Sequence, residues 1–178
     1  SVFVPFICFG QGDFRKMSWG ESVEDLKIAY PEVQFDKGFE DGFDMLTHSG
    51  NLIGIETQIV YAFSENKLVA GFYYLDPFDN YKDSKLRLKD YMSISSRLKE
   101  KYSMINEDEW IVTTWKGKPN YLDFAVYQGD VFLIERTEIE DTRIVHSLGK
   151  ESDGLQHLLV YASYEWVQIM QLEQSDDF

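Results

Sequence analysis

Three histidines, His48, His146 and His157, are the side chains here whose charge can change near neutral pH, which suits them to proton transfer or metal binding. No two stand four residues apart, the helical spacing that turns two imidazoles onto one zinc. His146 and His157 fall on strand-like stretches joined by the Gly149 to Gly154 loop, so a cross-strand pair is the way they would meet. Histidines at such positions more often serve as hydrogen-bonded structural residues, and no metal is expected. Cys8 is the single cysteine, which excludes an intrachain disulfide and a clustered-thiolate zinc site. A nucleophile needs an adjacent base; no Gly-x-Ser-x-Gly elbow occurs, and Lys116-Gly117-Lys118 lacks the glycine spacing and following helix of a phosphate loop. Asp36, Glu40, Asp41 and Asp44 around Gly38 and Gly42 read either as a calcium loop or as a solvated one, and their spacing departs from that of an EF-hand. With 31 acidic residues in 178, some carboxylate pair at glycosidase distance is inevitable and carries no weight. The expectation is a protein without catalytic residues or cofactor.

What remains is binding, and the charge distribution is the first guide. The chain has a formal charge of −14, which repels phosphate backbones and anionic lipid at long range and argues against a nucleic-acid partner. The charge is uneven. Lys and Arg against Asp and Glu run 5 to 13 over residues 1–80, 7 to 4 over 81–107, and 5 to 14 over 108–178. The basic segment contains Lys82, Lys85 and Lys89, which read either as the wet side of a helix or as a surface for an acidic partner. Aromatic residues make up 16% of the chain. Tyr73, Trp115 and Tyr127 read either as core packing or as members of a sheet face left uncovered by helices, where such side chains anchor protein interfaces.

The elements that position these residues follow from periodicity. Residues 54–75 alternate in twos on both sides of Ser64-Glu65-Asn66-Lys67, the pattern of a β-hairpin. Pairing Phe63 with Leu68 puts Leu68, Ala70, Phe72 and Tyr74 beside Ile59, Tyr61 and Phe63; a three-residue loop with Asn66 in a bulge puts Val69, Gly71 and Tyr73 there instead. The first register joins two apolar faces and is preferred. A strand over Phe43–Ser49 leads into the hairpin through Gly50-Asn51. Ser22 caps a short helix ending before Pro31, with Asp25 at the capping-box spacing and Val23, Leu26 and Tyr30 facing the sheet. Between Asp79 and Tyr102 the period changes: Leu88, Tyr91, Ile94, Leu98 and Tyr102 line one side of the longest helix. Strands are expected again over 109–115, 121–127, 131–137, 142–148 and 155–169, the last with a bend near Ser163. The fold class is therefore α+β, an antiparallel sheet with a short N-terminal helix and one long helix on one face. The domain spans 13–172, in halves 13–78 and 79–172 that would form an imperfect tandem repeat, and 173–178 are an acidic tail. Residues 1–12 read as a signal-peptide remnant, apolar from Val2 to Phe9 with a cut near Gly10 or Gly12, or else as a buried first strand. Pro5-Phe6-Ile7 is a poor match to the small residues that precede a lipidated cysteine, so Cys8 is not a strong anchor site. No stretch has the roughly 18 apolar residues of a membrane span.

Several of these features together resemble small bacterial envelope domains of the outer-membrane-assembly lipoprotein and β-lactamase-inhibitor-protein type. They are Trp19-Gly20 before the Ser22 helix, the Tyr61-x-Phe63 strand with its Leu68 return, the Leu98 to Tyr102 helix end, and the Thr142-x-Ile144 and Leu159-x-Tyr161 strands. The resemblance covers most of residues 14–165 and implies an extracytoplasmic, periplasmic or secreted, binding or assembly module without catalysis, with helices packed on antiparallel strands, sometimes twice in tandem. The functional expectation is a protein-protein interaction module, an acidic inhibitor or immunity protein being its sharper form. The alternative is a carrier of a small apolar ligand held between helix and sheet.

Overall fold

A computed structural model describes residues 14–78, 81–102, 121–151 and 154–175. The elements run α1 (Val23–Ala29), β1 (Asp36–Glu40), β2 (Phe43–Leu52), β3 (Ile55–Ser64), β4 (Lys67–Phe78), α2 (Tyr81–Tyr102), α3 (Leu122–Gln128), β5 (Leu133–Ile139), β6 (Thr142–Glu151), β7 (Gly154–Ser163) and α4 (Tyr164–Ser175). The strands form one seven-stranded sheet in the order β1-β2-β3-β4-β7-β6-β5, antiparallel throughout. Two meanders, one on each side of α2, therefore meet through their last strands. The α+β class, the short first helix and the long second helix are as the sequence leads one to expect. The 1–12 segment with Cys8, the strand expected at 109–115 and residues 176–178 lie outside the described residues.

Tight turns set the register. Phe63 pairs with Leu68 and Ser64 with Lys67, leaving Glu65 and Asn66 as a two-residue turn with φ of 48° and 61°, the left-handed pair that matches strand twist. The next pair is Ala62 with Ala70, so Val69 is a bulge residue. That single extra residue reconciles the two registers. The expected pairing holds at the turn, but beyond it Gly71, Tyr73 and Leu75, rather than Ala70, Phe72 and Tyr74, join Ile59 and Tyr61 on the main core face. A second two-residue turn at Ile53-Gly54, not Gly50-Asn51, joins β2 to β3.

On the main face Ser22 and Asp25 complete a capping box at α1, and Leu26 and Tyr30 bury against Leu46, Tyr61 and Phe63. α2 adds Ile94 and Leu98 to this core and Tyr91 to a neighbouring one shared with α3 and Leu148. One expected strand is a helix, and another turns into one at the bend expected near Ser163. Residues 121–127 are rich in β-formers, yet Ala125 and Val126 bury on one side of α3, and Gly129, at φ 83°, closes it. The stretch 155–169 leaves the sheet after Ser163, whose Oγ accepts the Trp166 N–H. Its continuation, α4, lays Trp166, Val167, Ile169 and Met170 over Phe43, Val60, Ala70 and Phe72 on the opposite sheet face and extends to Ser175, into the expected tail.

Candidate binding cleft and the buried histidine pair

Helix α2 carries most of what could be functional, because one side of it closes a polar network and another borders a cleft. His146 and His157 do come together. They are diagonal neighbours on β6 and β7, His146 opposite Leu159 and His157 opposite Leu148, with their Nε2 atoms 2.9 Å apart. Glu135 on β5 stands opposite His146 and takes its Nδ1–H at 3.4 Å. α2 supplies the other partners of that carboxylate: Ser95 Oγ donates at 2.5 Å and Lys99 Nζ lies at 2.9 Å. Tyr91 stacks on the His146 ring at 4.1 Å.

The protonation states follow from this geometry. Burial by itself would push the Glu135 carboxyl up, but the bonds from His146, Ser95 and Lys99 outweigh it and hold the group at about 2. Burial lowers His146 against the pull of Glu135. Burial, then His146 and Arg87, push His157 down to about 2. With His146 donating from Nδ1 and accepting at Nε2, His157 donates from Nε2 and its Nδ1 is left without a hydrogen-bond partner. A carboxylate that orients a histidine is half of a catalytic triad, but the third member here is another imidazole, and all three side chains are buried. Among the described residues, no group of three or more His, Cys, Asp or Glu side chains could hold a metal ion. His48 lies elsewhere, stacked 6.0 Å from Tyr61 and edge-on to Phe35.

The accessible site lies on the same helix. A small apolar cavity of about 60 Å³ opens between Ile94, Leu98 and Tyr102 of α2, Leu52 of β2, Ile53 of the β2–β3 turn, and Leu159 and Tyr161 of β7. Arg97 and Lys101 share its lining. An open groove of about 670 Å³ continues from Ile53 and Arg97 along Lys89, Met92, Ser96 and Glu100. The Arg97–Glu100 pair is 3.8 Å long and well exposed, so it is worth little and is readily exchanged for another carboxylate.

The expected binding residues fare unevenly. Lys85 and Lys89 are exposed on α2, and Lys89 lines the groove; Lys82 belongs to the same helix, with its side chain outside the described set. Tyr73 is not on an open face. The Val69 bulge turns it into the main core, 2% exposed, against Phe14 and Tyr161 with the Arg15 guanidinium 5.9 Å from its ring. Tyr127 is half-buried on α3, not on a strand, with Lys150 Nζ 5.8 Å from its ring centre. Trp115 lies outside the described residues. The sheet face expected to be bare is covered by α4 over Phe43, Val60, Ala70 and Phe72, while Tyr74 on that face stays exposed. Sequence reasoning missed Ile53, Met92 and Arg97; the readable signal was an isoleucine standing before Gly54 where a turn calls for Asn, Asp or Gly.

Comparison with family models, curated proteins and solved structures returned no match. Among the described residues no helix is long and apolar enough to cross a membrane.

Proposed function

We propose that this is a non-enzymatic, exported binding protein that recognises an acidic surface of another protein through the outer side of α2. The observation that carries the reading is charge placement. In a chain of net charge −14, α2 holds seven Lys and Arg against three Asp and Glu. Of these cations, Lys85, Lys89, Arg97, Lys99 and Lys101 are exposed. A local field opposed to that of the whole molecule favours approach of an anionic partner in one orientation. The size of the apolar cavity supports a protein partner over a carried ligand. A cavity of about 150 Å³ accepts benzene, whereas about 60 Å³ suits the end of one side chain.

Titration of isotope-labelled protein with a poly-glutamate peptide tests this. Amide shifts should cluster on α2, fade at high salt, where the Debye length is about 3 Å, and disappear in a Lys85→Glu/Lys89→Glu variant. Shifts on another element, or shifts indifferent to salt, would reject the reading. Export is checked separately by sequencing the mature N-terminus of the protein expressed from its full-length gene; retention of the 1–12 segment counts against it.

A further inference from the structure

The β2–β3 turn contains a residue that breaks a local rule. Ile53 has φ 48°, a left-handed conformation that a β-branched side chain adopts only under strain. The turn needs a left-handed residue at this position but not an isoleucine. Gly54 supplies the second left-handed position at φ 91°, and Asn51 Oδ1 accepts the Gly54 N–H at 2.6 Å. Nor is Ile53 withdrawn into the core, since it remains 46% exposed. A strained, half-exposed isoleucine at a site where asparagine would be relaxed points to a role outside folding.

Its surroundings suggest that role. Ile53 and Arg97 line both the apolar cavity and the open groove. The charged groups lining the two are Lys89, Arg97 and Lys101 against Glu100, so the apolar hole opens into a cationic surround. We infer that the cleft between Ile53 and α2 is a docking groove for an acidic, extended segment of a partner protein, which inserts one branched aliphatic side chain beneath Ile53. Carboxylates flanking the anchor meet Lys89, Arg97 and Lys101. A small buried anchor within a charged rim is how modest interfaces concentrate their affinity. This rests on the acidic-partner reading and adds the anchor and its site.

The experiment uses a synthetic acidic peptide carrying one leucine, its leucine-to-alanine version, a version with glutamine in place of glutamate, and decanoate, each titrated against the full chain and its Ile53→Asn variant. The leucine peptide should bind about tenfold more tightly than the alanine peptide. Ile53→Asn should abolish that difference while raising Tm by about 2–4 °C, because the strain is relieved. Equal binding of the two peptides overturns the inference, as does a lowered Tm with unchanged binding, which would make Ile53 structural. Tighter binding of decanoate than of the leucine peptide also overturns it, as does a dimer in sedimentation that Ile53→Asn dissociates. If charge dependence persists without a leucine preference, the acidic-partner reading stands and the anchor falls; if the glutamine peptide binds as well as the glutamate one, the acidic-partner reading falls first.

Discussion

Two regions on the same face of the sheet bury polar side chains and handle them in opposite ways. Beneath α2, the groups are linked: Lys99 and Ser95 hold Glu135, Glu135 orients His146, and His146 meets His157. Beneath α1, an aromatic hub relies on ring packing. Phe14 stands edge-on to Tyr61 and Tyr73 at 5.2 Å from each, and Arg15 interacts with the tyrosines around it. No ion pair holds Arg15 among the described residues, and Tyr61 Oη and His48 Nε2 lack hydrogen-bond partners. One region is organised by directed bonds and its stability should follow pH. The other is organised by shape and should answer to volume.

The largest effect should come from volume in the hub. Gly71 lies opposite Tyr61 on one side and Tyr161 on the other, and the hole left by its missing side chain is where Phe14 sits. A Cβ there would lie 2.2 Å from the Phe14 ring, which Tyr61, Tyr73 and Tyr161 prevent from moving aside. Gly71→Ala should therefore cost about 3 kcal/mol, read as a lower urea midpoint with unchanged slope. A cost under about 1 kcal/mol would show that the hub is loosely packed and collapse the contrast with the network.

Next in size is the pH dependence of the linked region. The folded His157 is held at about 2 against about 6.5 when unfolded, so the unfolded chain binds the extra proton as pH falls. Its stabilising contribution is fully present above about pH 6.5 and is lost on acidification, by about 2 kcal/mol between pH 7 and pH 5. The lowered His146 acts with the same sign. Glu135, held at about 2, adds a further loss only as pH drops below its unfolded value of about 4.3. Urea titrations at pH 7, 6 and 5 measure the slope. His157→Gln retains a donor toward His146 but does not titrate, and should remove about 1.4 kcal/mol per pH unit from the slope below pH 6. An unchanged slope would mean that His157 is not held neutral.

Legibility in the sequence followed the range of the forces involved. The Ser22–Asp25 capping box, the Glu65-Asn66 turn and the stripe Tyr91, Ile94, Leu98 depend on neighbours within a turn or two, and periodicity reveals them. The Val69 bulge has no such mark, and it alone moves Tyr73 from an expected binding surface into the core. Helices α3 and α4 were hidden because Tyr, Phe, Trp, Val and Ile favour strands in isolation, whereas the tertiary contacts of Val126 and Trp166 decide otherwise. His146 and His157 could be paired from strand order, but Glu135, Ser95 and Lys99 come from separate elements that only the folded chain assembles. The cleft was half visible, in the lysines of α2 and not in Ile53.

The smallest effect is also the sharpest divider between the regions. Tyr61 is fully buried; burial, followed by nearby Tyr30, raises its hydroxyl well above the usual phenol range, and its Oη has no partner of hydrogen-bond geometry. Removing such a group relieves a desolvation cost without breaking a bond, so Tyr61→Phe should leave stability within about 0.5 kcal/mol of the parent or raise it slightly. Tyr73 provides the control. Burial pushes it up to about 12, while the positive charge of Arg15, whose guanidinium lies 5.9 Å from its ring, pulls the other way, so Tyr73→Phe should cost more than Tyr61→Phe. If Tyr61→Phe proves the costlier of the two, the Tyr61 hydroxyl is bonded in solution, and the hub is a second polar network rather than a packed set of rings.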